Sequence, residues 1–149
     1  MTDIDSIRWL QLTDDDVARL RAAVAAELVL CPDVVAAYHY GSSARRQPAR
    51  DIDIGLVVDR TAMRSFDVDE IAERIAARCG RPVDDLDVRI VNDADSVFLG
   101  NLMREGKRCF ERDLRSRVAF EVQAMNSWLD FQPAWDRMRR GVLKTWSRG

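Results

Sequence analysis

Two periodicities alternate along this chain. Val17, Leu20, Val24 and Leu28 recur at the three-to-four spacing that puts one apolar stripe on a helix. Thr13 followed by Asp14-Asp15-Asp16 is a good start for it, a hydroxyl cap with acids in the first turn, and Cys31-Pro32 ends it. Val34 to Tyr40 is instead a continuous apolar, β-branched run that stops at Gly41, which predicts a buried strand. From Ser42 to Arg50 the chain is polar, with room for one helical turn. Ile52, Ile54, Leu56 and Val58 then alternate with Asp51, Asp53, Gly55 and Val57, giving a second strand with one greasy face and one acidic end.

The same two patterns continue. Asp67-x-x-Glu70 resembles a capping box, Val68, Ile71, Ile75 and Cys79 form a helix stripe, and Gly80 supplies the stop. Leu86, Val88 and Ile90 alternate with Asp87, Arg89 and Val91, a third strand. Asp95 to Glu105 reads as a helix closed by Gly106, with Gly100 weakening it, and Lys107 to Glu111 as a short edge strand. Asp113 caps a long helix carrying Val118, Val122, Met125 and Leu129. Pro133 then opens or kinks a final helix with Trp135, Met138, Val142 and Trp146. The order α-β-(α)-β-α-β-α-β-α-α predicts a single α/β domain over residues 1–149, a small mixed β-sheet with flanking helices. Helices over 113–149 pack on it and offer a partner interface.

Composition narrows the class. The 149 residues are 47% hydrophobic and 32% charged, ordinary for a soluble globular protein. No apolar run reaches the roughly 20 residues that span a bilayer. Met1 to Leu12 carries acids and no basic n-region followed by an apolar stretch, so it does not read as a signal peptide, and a cytoplasmic location is expected. Cys31, Cys79 and Cys109 lack CxxC spacing and read as reduced thiols. His39 cannot anchor a histidine-based metal site alone and reads as a polar residue near a strand end. The net charge of −2 hides an asymmetry: residues 1–100 carry 12 basic and 19 acidic side chains, residues 101–149 carry 11 and 6. Nothing resembles a nucleic-acid-binding motif.

The candidate chemistry lies at the start of the second strand. Asp51 and Asp53, two apart on the strand, point to one face, and burying like charges together without a partner is costly. A bound Mg2+, shared with substrate phosphates, is the natural reason to keep them there. Gly41 lets backbone approach a phosphate closely, Ser42 offers a hydroxyl, and Arg45 offers a charge-assisted contact. Asp87, in the same phase on the next strand, is the candidate third acid. Acids at strand starts and Gly-Ser turns are each common structural features; their conjunction points to nucleotidyl transfer. Asp84 and Asp85 read as turn residues, and Arg46 and Arg50 as solvated or triphosphate-binding. Trp128, Trp135 and Trp146 fill a core or mark an interface.

Tyr40-Gly41-Ser42-Ser43-Ala44-Arg45-Arg46 through Asp51-Ile52-Asp53-Ile54 resembles the signature of the minimal nucleotidyltransferases, a branch of the DNA polymerase β-like superfamily. Leu86-Asp87-Val88 with Val91-Asn92-Asp93-Ala94 looks like that family's third-acid strand and following turn. Arg104 to Lys107, Glu111 to Asp113 and Trp128 to Phe131 resemble the C-terminal half of the MntA-type antitoxins. The resemblance implies a polymerase β-like fold and an enzyme that uses ATP with Mg2+ to transfer AMP onto a tyrosine of a cognate HEPN-domain RNase toxin. Gly41 and Ser42 are then the nucleotide-binding turn, Asp51 and Asp53 the metal ligands, and Asp87 the third acid. Two departures stand out: Arg46 where the family often has Gly, and a shorter loop, eight residues, between Ser42 and Asp51. Neutralisation by binding alone, and transfer to a small-molecule hydroxyl, are the competing functions.

Overall fold

The computed structural model describes residues 7–148, so the first half of the Met1–Leu12 reading lies outside the described residues. Four strands form one mixed sheet in the order β3-β2-β1-β4: β1 (Val34–Tyr40), β2 (Ile52–Val58), β3 (Leu86–Ile90) and β4 (Lys107–Glu111). β1 pairs antiparallel with β2 and β4, while β2 and β3 run parallel. β4 is an edge strand, as its short mixed sequence predicts.

One face of the sheet carries α1 (Asp14–Leu28) and α3 (Val68–Cys79). Thr13 accepts from the Asp16 amide while the Asp16 carboxylate accepts from the Thr13 amide, a complete capping box. Asp67 caps α3, and Gly80 ends it in the left-handed conformation at φ +66°. Val17, Leu20, Val24 and Leu28 meet Ile71 and Ile75 over Ile52, Ile54, Leu56 and Val58 in the larger core. Buried Glu27 joins the two helices, accepting from Arg78 Nε at 2.6 Å with Arg74 at 3.6 Å. Because that face takes every even residue of β2, the odd residues Asp53, Gly55 and Val57 point the other way.

The opposite face carries α4 (Ser96–Glu105) and α5 (Leu114–Trp146). Ala36, Tyr38 and Val57 pack there on Leu99, Leu102, Phe120 and Ala124. The Tyr38 hydroxyl donates to Glu121 at 2.7 Å, and Arg117 clamps Glu121 and Glu111. A Cβ on Gly100 would lie 2.7 Å from the Trp128 ring, so this glycine lets α4 and α5 approach closely.

The C-terminus departs from the sequence reading twice. One 33-residue helix runs through Pro133, where two were expected. The proline frees the Leu129 carbonyl, but both residues are exposed, so water reaches that acceptor and the helix continues. The stripe expected to pack, Val118, Val122, Met125 and Leu129, faces outward; Phe120, Ala124 and Trp128 are buried instead. Continuing at helical spacing, the buried face leads to Trp135, Met138, Val142 and Trp146, of which the last three are exposed, at 58%, 58% and 81%. Among the described residues no helix is long and apolar enough to cross a membrane.

Candidate functional site

Asp53 sits where three elements meet. It pairs with Tyr40 across the antiparallel β1–β2 ladder and with Asp87 across the parallel β2–β3 ladder. Asp53 and Asp87 are therefore lateral neighbours on the α4–α5 side of the sheet. Asp51 lies just before the strand, in an exposed bend rather than in β2 itself. Burial pushes the Asp53 carboxyl up to about 6, with Asp87 and Asp51 adding to the rise and Arg89 opposing it.

The Gly-Ser turn closes on this carboxylate. Gly41 opens a four-residue helical turn, α2 (Gly41–Ala44), with φ +74°. A Cβ at Gly41 would stand 2.3 Å from Asp53 Oδ2, so both backbone angle and proximity require glycine. Among the described residues, no side chain caps the turn. Ser42 is half-buried beside it, while Ser43 is buried.

The remaining predicted residues are held elsewhere. Arg45 donates to Glu105 at 2.6 Å across a cleft of about 380 Å3 lined by Tyr40, Gly41, Phe98 and Asn101. Asp87 accepts from Arg89 at 2.6 Å. Among the described residues, no three His, Cys, Asp or Glu side chains converge as a ready-made metal cage. The donor set nonetheless suits Mg2+, which takes one or two carboxylates and completes its shell with water and substrate phosphates. Burial and the neighbouring Asp87 raise the Asp53 carboxyl, and a cation held between these carboxylates would offset that cost.

Three features were missed in the sequence. The Tyr40 hydroxyl is buried with no partner among the described residues, and its ring meets Phe98 edge-on at 5.3 Å. Burial raises this phenol to about 12. Only an aromatic directly before Gly41 signalled it. Arg46 adopts φ +61°, the left-handed conformation glycine favours, at the position where the resembling family often has glycine. Its side chain pairs with Asp14 at 2.5 Å and its carbonyl accepts from Gln11, while Leu10 and Ala49 bridge alongside. The amino-terminal segment thus holds the shortened loop. Asp85 lies in a 3-10 turn over Val83–Asp85, as read, but its burial, with Arg8 at 3.5 Å and Arg81 at 3.8 Å, was not foreseen.

Residues 24–115 match the family described as Polymerase beta, Nucleotidyltransferase. Among solved structures, an MntA–HepT toxin–antitoxin is similar at TM-score 0.58 and 19% identity, over 83% of this chain and 97% of that one. A toxin–antitoxin structure with AMP-PNP is similar at TM-score 0.56 and 19% identity, over 89% and 99%. A tri-AMPylated Shewanella oneidensis HEPN toxin in complex with MNT antitoxin is similar at TM-score 0.56 and 17% identity, over 83% and 98%. At such identities the likeness is one of fold. No curated protein is similar enough to match.

Proposed function

We propose, for a chain that belongs to the polymerase beta nucleotidyltransferase family, that it acts as an antitoxin. It transfers AMP from ATP to a tyrosine hydroxyl of a cognate HEPN-domain RNase toxin. The observation that carries the reaction is the Gly41 turn pressed against Asp53; in this reading the turn's backbone binds phosphate and the carboxylate binds the metal. The family supports nucleotidyl transfer. The choice of partner draws on folds shared with toxin–antitoxin complexes, one with AMP-PNP and one with an AMPylated toxin.

In this reading the acceptor oxygen attacks the α-phosphorus, the phosphoanhydride bond to the β-phosphate breaks and pyrophosphate leaves. The N–H groups of α2 and the Ser42 hydroxyl bind the triphosphate, and Arg45 turns from Glu105 to join them. Asp51 and Asp53, with Asp87, would hold Mg2+, which offsets the charge building on the phosphate oxygens. Asp87 receives the proton of the acceptor hydroxyl. Tyr40 and Phe98 wall the cleft against water. This molecule is expected to reside in the cytoplasm with its toxin.

A second reading, neutralisation by binding alone, is favoured by one observation, the outward apolar stripe of α5. Transfer of label to the neighbouring HEPN protein from α-32P-ATP, but not from γ-32P-ATP, supports AMP transfer. No label in a stable complex would sink it and leave binding.

A further inference from the structure

We propose that His39 is a positioning residue, fixing the Gly41–Ala44 turn for nucleotide phosphates through a directional hydrogen bond to Ser43. The inference rests on the reading of that turn as the phosphate site. His39 is the second-to-last residue of β1 and is 0% exposed. Its Nε2 lies 2.8 Å from Ser43 Oγ, and Arg21 of α1 stands 3.5 Å from its Nδ1.

A guanidinium can only donate, so the Nδ1 beside it carries no hydrogen. The ring proton therefore sits on Nε2 and is donated to Ser43. Burial pushes His39 down to about 4, with the charges of Arg21 and Arg46 adding, so the ring stays neutral. One protonation state and one tautomer satisfy both neighbours.

An aliphatic side chain would fill this place without the cost of burying a polar ring, and the neighbouring inward positions Ala37 and Ile54 are of that kind. What the imidazole adds is direction. Among the described residues, the bond to Ser43 is the only side-chain hydrogen bond made by residues 41–44. The turn's own backbone bonds from Arg45, to Gly41 at 3.3 Å and Ser42 at 3.2 Å, are long. Yet Gly41 must be held at φ +74° against Asp53. The tie also divides the labour of adjacent serines: Ser43, 1% exposed, anchors the turn to β1 and α1, and Ser42 is left to the ligand.

The chain has a single histidine, so its imidazole nitrogens are unambiguous in 15N NMR. The wild type is expected to show a protonated Nε2 and a bare Nδ1 at neutral pH. MgATP affinity, measured by calorimetry, is expected to fall about fivefold in His39→Leu and in Ser43→Ala, the effect of one neutral hydrogen bond. The double variant should fall no further, because both changes remove the same tie. His39→Gln, whose amide can reach Ser43, should restore most of the affinity. In transfer assays KM for ATP rises while kcat holds, the mark of phosphate binding common to ground and transition states.

A protonated Nδ1 would overturn the proposal. So would an unchanged affinity in Ser43→Ala, or losses that add in the double variant. If His39→Leu fails to fold, Ser43→Ala and the wild-type spectrum decide. If the affinity pattern appears but no AMP is transferred to any HEPN protein, the function proposed above fails and the positioning role stands.

Discussion

The two layers on either side of the sheet are built to different standards. Behind it, α1 buries its whole apolar stripe and α3 buries Ile71 and Ile75, and Leu20, Val24, Leu28 and Ile75 are at most 1% exposed. In front, α4 and α5 carry a thinner core and the open cleft, and α5 shows water a second apolar stripe beside its buried one. The back layer is therefore scaffold, rigid enough to hold Asp53 beside Gly41. The front layer gives up burial for access, as catalytic and binding faces generally do.

The strongest break in this comparison is chemical. Replacing Asp51 and Asp53 by Asn should cut AMP transfer by at least about a thousandfold while leaving the fold intact, because charge stabilisation at phosphorus is lost. Retained labelling in the double variant would reject the site. A structural change in the back layer comes next: Leu20→Ala should lower unfolding free energy by about 2–5 kcal/mol in urea titration. In the front layer, Gly100→Ala pushes a methyl into Trp128 and should cost about 1–3 kcal/mol, read as a fall in Tm with partly quenched or shifted tryptophan emission.

A smaller effect separates the site from its scaffold. Asp53 titrates at about 6 when folded against an ordinary 3.8, so the native state binds more protons between those values. Stability of the metal-free protein from this group therefore falls as pH rises from 3.8 through 6. Asp53→Asn should remove that decline, and Mg2+ should raise Tm more at pH 7 than at pH 5. An identical Tm profile in both proteins would refute the assignment. The least effect belongs to the outward stripe. Val122→Ser and Leu129→Ser should each shift stability by no more than about 0.5 kcal/mol, whereas core positions would lose several times that.

That last contrast locates where sequence reading succeeded and where it stopped. α1, α3 and the strands were legible because the helices and β2 have one apolar stripe or face, β1 is one continuous apolar run, and the punctuation is sharp at Thr13, Asp67, Gly41 and Gly80. α5 has two apolar stripes, and periodicity alone does not say which one meets the sheet. Phe120, Ala124 and Trp128 won because Gly100 opens room for Trp128 and because Tyr38 and Glu121 bond on that side. The Gly41–Asp53 neighbourhood was readable from motif spacing. The hold on His39 was not, since Arg21, His39 and Ser43 come from three elements whose contact only the fold creates. Arg46 likewise reads as a solvated or triphosphate-binding charge, and its left-handed backbone is visible only in the structure.

The length of α5 has a mechanical consequence. Thirty-three residues at 1.5 Å each make a rod of about 50 Å, longer than the roughly 40 Å diameter of a sphere-like domain of this size. The free end bears Arg137, Arg139, Arg140, Lys144 and Arg148 with few acids to mask them. Trypsin should therefore trim this end first, leaving a resistant body. The described chain is elongated along one direction, and that direction is the axis of α5.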